Sequence, residues 1–185
     1  MYVGPDIVDQ GLIYAIDAGS ERSYSGVGAA VTAITGVGNG TLTNGVGFNS
    51  AYGGSWAFDG ADDYIDFNSF LVPGISQYDT ITNFTISVWV NWDHFPTGNY
   101  DEIISWWRPG TDPYSDAFLG TTTSSAQGGS AANPGIRFGD GWTNTGANFT
   151  AATDVDKWWQ ITAVKTSNNA YVYVNGVLRA TKGSA

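Results

Sequence analysis

Residues 83–92, NFTISVWVNW, alternate without a break: Phe84, Ile86, Val88, Val90 and Trp92 fall on one parity and Thr85, Ser87, Trp89 and Asn91 on the other. A period of two places the first set on one face of an extended chain, which predicts a strand with a single buried face. The same pattern recurs more weakly in GLIYAIDA (11–18), SWAF (55–58), DYIDF (63–67), EIISWW (102–107), DAFLGT (116–121), GIRFGD (135–140) and WWQITAVKT (158–166). In AYVYVNGVLRAT (170–181), Asn175-Gly176 separates two apolar runs. That dipeptide accepts positive φ at both positions, as a type I′ hairpin turn requires. Helical periodicity is hard to find anywhere.

Many short strands divided by Gly, Asn, Asp and Ser turns predict an all-β chain, an antiparallel β-sandwich or jelly roll of two sheets packed face to face. The Gly/Ser/Thr-rich stretch 121–135, TTTSSAQGGSAANPG, has similar strands on either side. It reads as a long surface loop within one sandwich rather than a linker. No internal repeat is present, and the chain reads as one domain, 1–185, with residues 1–10 as an N-terminal arm.

Composition agrees with that picture. The chain has 185 residues, 42% hydrophobic and 15% aromatic, enough to enclose a core built largely from eight Trp, ten Tyr and nine Phe. A net charge of −10 opposes a phosphate backbone, and the seven basic residues are scattered, so nucleic acid is not an expected partner. No apolar run approaches the roughly 18 residues that span a bilayer, and no membrane partner is expected. The start, MYVGPDIVDQ, has neither the basic residues nor the apolar run of a signal peptide, which predicts synthesis in a cytosol. The absence of cysteine removes disulfides and thiolate metal sites.

The segment WAFDGADDYIDF (56–67) holds the densest cluster of acids. In DYIDF, Ile65 and Phe67 share one face while Tyr64 and Asp66 point the other way, and Trp56 and Phe58 share a face of the preceding strand. DGADD between them then reads as a hairpin turn held by aspartates that accept nearby backbone amides. The alternative is a calcium site formed by Asp59, Asp62 and Asp63 at the loop tip, since hard cations gather several oxygens. The spacing lacks the D-x-D-x-D-G pattern and distal Glu of an EF-hand.

Catalytic readings find less support. The two glutamates, Glu21 and Glu102, lie on distant segments, and Asp101 and Glu102 are adjacent, which on a strand sends them to opposite faces. The single histidine, His94, sits in NWDHFPTGN with no nucleophile motif and reads as a surface-loop residue.

Taken in order, GPDIVDQGLIYAIDAG, NGTLTNGVGFNS, GGSWAFDGADDYIDF and NFTISVWVNW resemble the concanavalin A-like, laminin G-like jelly-roll domain. More narrowly, they resemble the version found in virion structural proteins of tailed phages of marine bacteria. The matching positions are Gly4 to Val8, Gly11 to Gly19, Tyr24, Asn39 to Leu42 and Phe58 to Ile65. AAVTAITGVGNG stands where the family has a tryptophan and a DLSGNGN-like run. The family also continues beyond the hairpin at Tyr171 to Leu178, so the resemblance implies last strands that are missing here or supplied by a partner. It implies a non-enzymatic virion protein, a capsid decoration or a fibre or appendage component, oligomeric or attached to other virion proteins. The second expectation is a carbohydrate-binding module that recognises a cell-surface glycan through Trp106, Trp107 and Trp142. Trp158 and Trp159 raise the same question of exposed rings. A glycoside hydrolase of this superfamily is the least supported, because no pair of facing carboxylates is evident. No cofactor is expected beyond a possible calcium ion.

Overall fold

The computed structural model describes residues 10–36, 38–67, 83–95, 98, 100–105, 118–127, 129–139, 143–145 and 148–183. The chain forms two compact units, Met1–Asp79 and Thr80–Ala185, and among the described residues both are all-β.

The first unit contains β1 (Ala30–Thr32), β2 (Asn39–Thr43), β3 (Gly47–Asn49), β4 (Ser55–Ala57) and β5 (Tyr64–Asp66). They pair antiparallel in the order β1-β2-β5, with β3-β4 as a separate ladder. The expected hairpin between 55–58 and 63–67 does not form: β4 pairs with β3, and β5 pairs with β2. Side-chain fit accounts for both choices. Phe48 lies directly opposite Trp56, an aromatic pair that stabilises a short ladder. On β2, a Cβ at Gly40 would come within 2.7 Å of the Phe67 ring and 3.0 Å of Ile65, so only glycine lets that pair lie across the strand. Ile65 and Phe67 therefore share a face, as the alternation predicts, and Tyr64 is exposed. Phe58, expected to share a strand face with Trp56, lies outside the strand. It is 50% exposed because β4 ends at Ala57 and the alternation ends with it.

Residues 11–18 are not a strand, contrary to the alternation in LIYAID. At the end of the stretch local polar bonds shape a turn: Asp17 Oδ1 accepts the Gly19 amide at 2.9 Å, and Ser23 Oγ accepts the Asp17 amide at 3.1 Å. Around them, Tyr24 packs against Phe48 and Trp56 with ring centroids 5.2 and 5.9 Å away, and its hydroxyl donates to the Gly28 carbonyl at 2.9 Å. The Tyr14 ring meets Phe67 edge-on at 5.4 Å, and burial pushes its phenol up to about 12.

The second unit is an antiparallel β-sandwich. It comprises β6 (Phe84–Asn91), β7 (Tyr100–Ser105), β8 (Phe118–Thr122), β9 (Gly135–Phe138), β10 (Thr143–Asn144), β11 (Trp158–Lys165), β12 (Asn169–Val174) and β13 (Val177–Gly183). Two four-stranded sheets result, in the orders β10-β9-β8-β7 and β13-β12-β11-β6. Leu119, Ile136 and Phe138 from the first sheet meet Ile161, Ala163, Val172 and Val174 from the second in one core. Aromatics close one end: Phe149 sits 5.4 Å from Trp92, 5.5 Å from Phe95 and 5.1 Å from Trp159. Fully burying a side chain such as Phe138 stabilises the fold by about 1.5–3 kcal/mol.

Most of the strands expected after residue 83 are present. The 121–135 stretch joins β8 to β9, neighbours in one sheet, as expected of a loop within a sandwich. The Asn175-Gly176 turn has φ of 49° and 75°, the two positive values of a type I′ hairpin. In β7 the pairing shifts between Glu102 and Ile104, a bulge that leaves both Ile103 and Ile104 half-buried.

Candidate functional site

The acidic loop is built by backbone capture. Asp59 Oδ1 accepts the amides of Ala61 at 2.8 Å and Asp62 at 3.4 Å, while Asp63 Oδ2 accepts the Asp59 amide at 3.0 Å. Gly60 supplies the positive φ, 72°, that turns the chain between them. From the β2–β3 turn, Asn44 Nδ2 donates to the Asp62 carbonyl at 2.8 Å. These amides, Ala61 foremost, hold the Asp59 carboxyl below its ordinary pKa. The turn chemistry read from the sequence is therefore present, although the loop connects two ladders rather than closing one hairpin.

The same loop brings one carboxylate oxygen from each of Asp59, Asp62 and Asp63 within 4.8 Å of one another. Asp63 Oδ1 is buried and has no hydrogen-bond partner among the described residues, and Asp59 and Asp62 are exposed. The donor set suits a hard oxygen-seeking cation, which needs six to eight oxygens, so three carboxylates would leave the rest to carbonyls and water. Turn and calcium readings are compatible with this geometry.

His94 Nδ1 lies 2.6 Å from Asp93 Oδ1, and both side chains are largely solvated. They border a shallow depression lined by Phe95, Ala131, Ala151, Ala152 and Val155, none of which supplies a reactive group. Asp101 is held above its ordinary pKa by partial burial, an effect His94 partly offsets. Glu21 belongs to the first unit and Glu102 to the second.

Of the expected sugar-binding tryptophans, Trp106, Trp107 and Trp142 lie outside the described residues. Trp159 turns inward, packing on Phe149 and donating its Nε1 hydrogen to the Asp154 carbonyl at 3.1 Å. Trp158 is on the opposite parity and half-buried.

Alternation in the β13-β12-β11-β6 sheet produces a surface that sequence reasoning did not single out. Ile161, Ala163, Ala170, Val172 and Val174 point into the core, so their neighbours point out. The register lines these outward residues up in rows across the sheet. Thr85 stands beside Val164, Tyr171 and Thr181, and Ser87 beside Thr162, Tyr173 and Leu178. Trp89 stands beside Gln160, and Asn91 beside Trp158. The Ser87 and Thr162 hydroxyls share a hydrogen bond of 3.1 Å, which fixes their common face. No outward residue in these rows is charged, although the chain carries 17 acidic and seven basic side chains. Trp89 is 61% exposed and Leu178 49%. The available signal was a tryptophan at a polar-parity position of the clearest strand.

No family model, curated protein or solved structure matches this chain.

Proposed function

We propose that this protein is a non-enzymatic structural component of a bacteriophage virion, a capsid decoration protein or part of a fibre or appendage. In this reading it contacts other virion proteins through the outer face of the β13-β12-β11-β6 sheet. The observation that carries the proposal is that face, with exposed Trp89 beside Gln160, exposed Leu178 beside Tyr173, and no charge in its rows. Solvated faces of an acidic protein hold charge. The centres of protein interfaces are instead depleted in charge and enriched in aromatic rings. The virion assignment itself rests on the resemblance of the sequence blocks between Gly4 and Ile65, because a β-sandwich alone serves many functions. Immunogold labelling of purified particles of the encoding phage tests it. Labelled particles support the proposal, and unlabelled particles from cells that express the protein refute it.

A second reading uses the same face for a neutral glycan. Sugar rings stack on exposed aromatic side chains, and flanking Thr85, Ser87, Gln160 and Thr162 offer hydroxyl and amide partners without charge. A glycan array read with the native chain and with Trp89→Ala, Trp106→Ala and Trp142→Ala distinguishes the two. Sugar binding lost in a variant that still enters particles favours recognition; the absence of any glycan signal leaves assembly as the function of the face.

A further inference from the structure

We infer that the outer edge of β6 pairs with β6 of a second copy of this chain, joining two four-stranded sheets into one continuous eight-stranded sheet. This is an edge contact, separate from the outer face, and it stands whether or not the protein belongs to a virion.

Three observations point to the edge. First, β6 ends its sheet: β11 pairs with it along its full length, and among the described residues no strand pairs with its other side. Over Thr85–Asn91 the backbone groups facing away from β11 have no strand partner among the described residues and so offer a template for another strand. Second, the core is incompletely covered there. Ile86, Val88 and Val90 are only half-buried, whereas Ala163 and Ile161, directly opposite Ile86 and Val88, are 0% exposed. Third, β6 itself carries none of the usual guards. At the other end of the same sheet, β13 carries Arg179 and Lys182, and the pairing of β12 with β13 shifts between Val172 and Tyr173. Basic side chains and bulges are the usual guards against strand addition. FTISVWVN has no charge, no proline, no glycine and no break in register.

The second copy is the occupant that fits. In an antiparallel pair centred on Val88 facing Val88, Ile86 meets Val90, Ser87 meets Trp89 and Thr85 meets Asn91. Every inward residue meets an inward one, and every outward residue an outward one, as a strand ladder demands. The half-buried Ile86, Val88 and Val90 of each copy then cover those of the other. Two chains of charge −10 repel, and this uncharged edge lets them approach without setting acid against acid. A twofold isologous contact of this kind closes on itself and gives a dimer rather than a filament.

The experiment uses the full chain. Sedimentation equilibrium is expected to show a dimer. In Ser87→Lys/Trp89→Lys, lysine faces lysine at two symmetric positions of the exposed face, and dimer dissociation is expected to rise about tenfold or more. In Ser87→Lys/Trp89→Glu, lysine faces glutamate, and the dimer is expected to return. Because the native chain has no cysteine, Val88→Cys reports directly. Across the twofold its Cα atoms would lie about 4.5–5.5 Å apart, within disulfide reach, while those of a Thr85→Cys control would be about 20 Å apart. Mild oxidation is expected to link the first variant and not the second. A monomer throughout, a dimer indifferent to both lysine and glutamate pairs, or equal cross-linking of the two cysteine variants would overturn the inference. Particle labelling is a separate readout, so failure of the edge contact and failure of the virion reading are distinguishable.

Discussion

The Asn44 side-chain amide donates to the Asp62 carbonyl at 2.8 Å, tying the turn after β2 to the acidic loop before β5. Asn44 also holds φ of 65°, a left-handed conformation that asparagine tolerates better than most residues. Two substitutions separate these roles. Asn44→Gly keeps the backbone conformation and loses the bond, whereas Asn44→Ala loses the bond and strains the backbone. Because the bond is solvent-accessible, Asn44→Ala is expected to cost about 1–2 kcal/mol and Asn44→Gly about half of that in urea denaturation. Equal losses would show that only the hydrogen bond matters.

Asn175 has a parallel position in the second unit. Its Oδ1 accepts the Gln160 amide at 2.8 Å, its own amide donates to the Gln160 carbonyl at 2.8 Å, and its φ is 49°. One turn residue thus closes the β12–β13 hairpin and extends the β11 ladder. Asn175→Ala is expected to cost about 1–2 kcal/mol, and Gly176→Ala, at φ of 75°, about 1 kcal/mol. Chemical denaturation read by tryptophan fluorescence measures both, and a neutral Asn175→Ala would refute the two-ladder role.

Asp101 and Asp59 are shifted in opposite directions and predict opposite pH behaviour. Partial burial raises Asp101, so folding disfavours its charged form. Its favourable contribution is complete below the unfolded pKa and disappears as pH rises through the folded one. Asp101→Asn is therefore expected to raise the melting temperature at pH 7, with the difference vanishing below about pH 4. Backbone amides lower Asp59, so its contribution is present above the unfolded pKa and fades as pH falls through the folded one. Asp59→Asn is expected to lower the melting temperature at pH 7 and to converge with the native chain in acid. Both substitutions remove one negative charge, so shifts of the same sign would mean that net charge dominates.

These contrasts explain what could be read from the residues. The strand at β6 was legible because its alternation runs for eight residues and uses aromatic and β-branched side chains, which fit a half-buried pleated surface. The segments AVT, NGTLT and GFN of β1, β2 and β3 are short and rich in small or polar residues, and no apolar period announces them. Residues 11–18 alternate yet form no ladder among the described residues, and at their end the Asp17 and Ser23 side chains hold a local turn that no apolar period announces. Pairing was less legible than strand position. The partners of β4 and β5 depend on Phe48 facing Trp56 and on the missing side chain at Gly40, relations invisible within either strand. The acidic loop was visible as a motif, whereas Trp89 entered only as one outward residue of a strand. Its significance needs the uncharged neighbours that β11, β12 and β13 bring beside it.

The division between core and outer face gives the last prediction. Phe138 and Trp89 are both large aromatics on strands of the second unit, but Phe138 is 0% exposed and Trp89 is 61% exposed. Phe138 packs edge-on against Phe84 at 5.9 Å and joins the side chains that bridge the two sheets. Phe138→Ala would leave a cavity that the surrounding strands can only partly close, and is expected to cost about 3–5 kcal/mol. Trp89→Ala opens no cavity, because its ring already stands largely in solvent, and is expected to change monomer stability by no more than about 0.5 kcal/mol. If the outer face is a contact surface, Trp89→Ala should instead weaken attachment to particles, or glycan retention, by tenfold or more while leaving thermal unfolding unchanged. Denaturant titration of both variants, paired with a binding assay on Trp89→Ala, makes the comparison. A Trp89→Ala chain that unfolds as readily as Phe138→Ala would place that ring among the structural residues and remove the basis for the proposed contact surface.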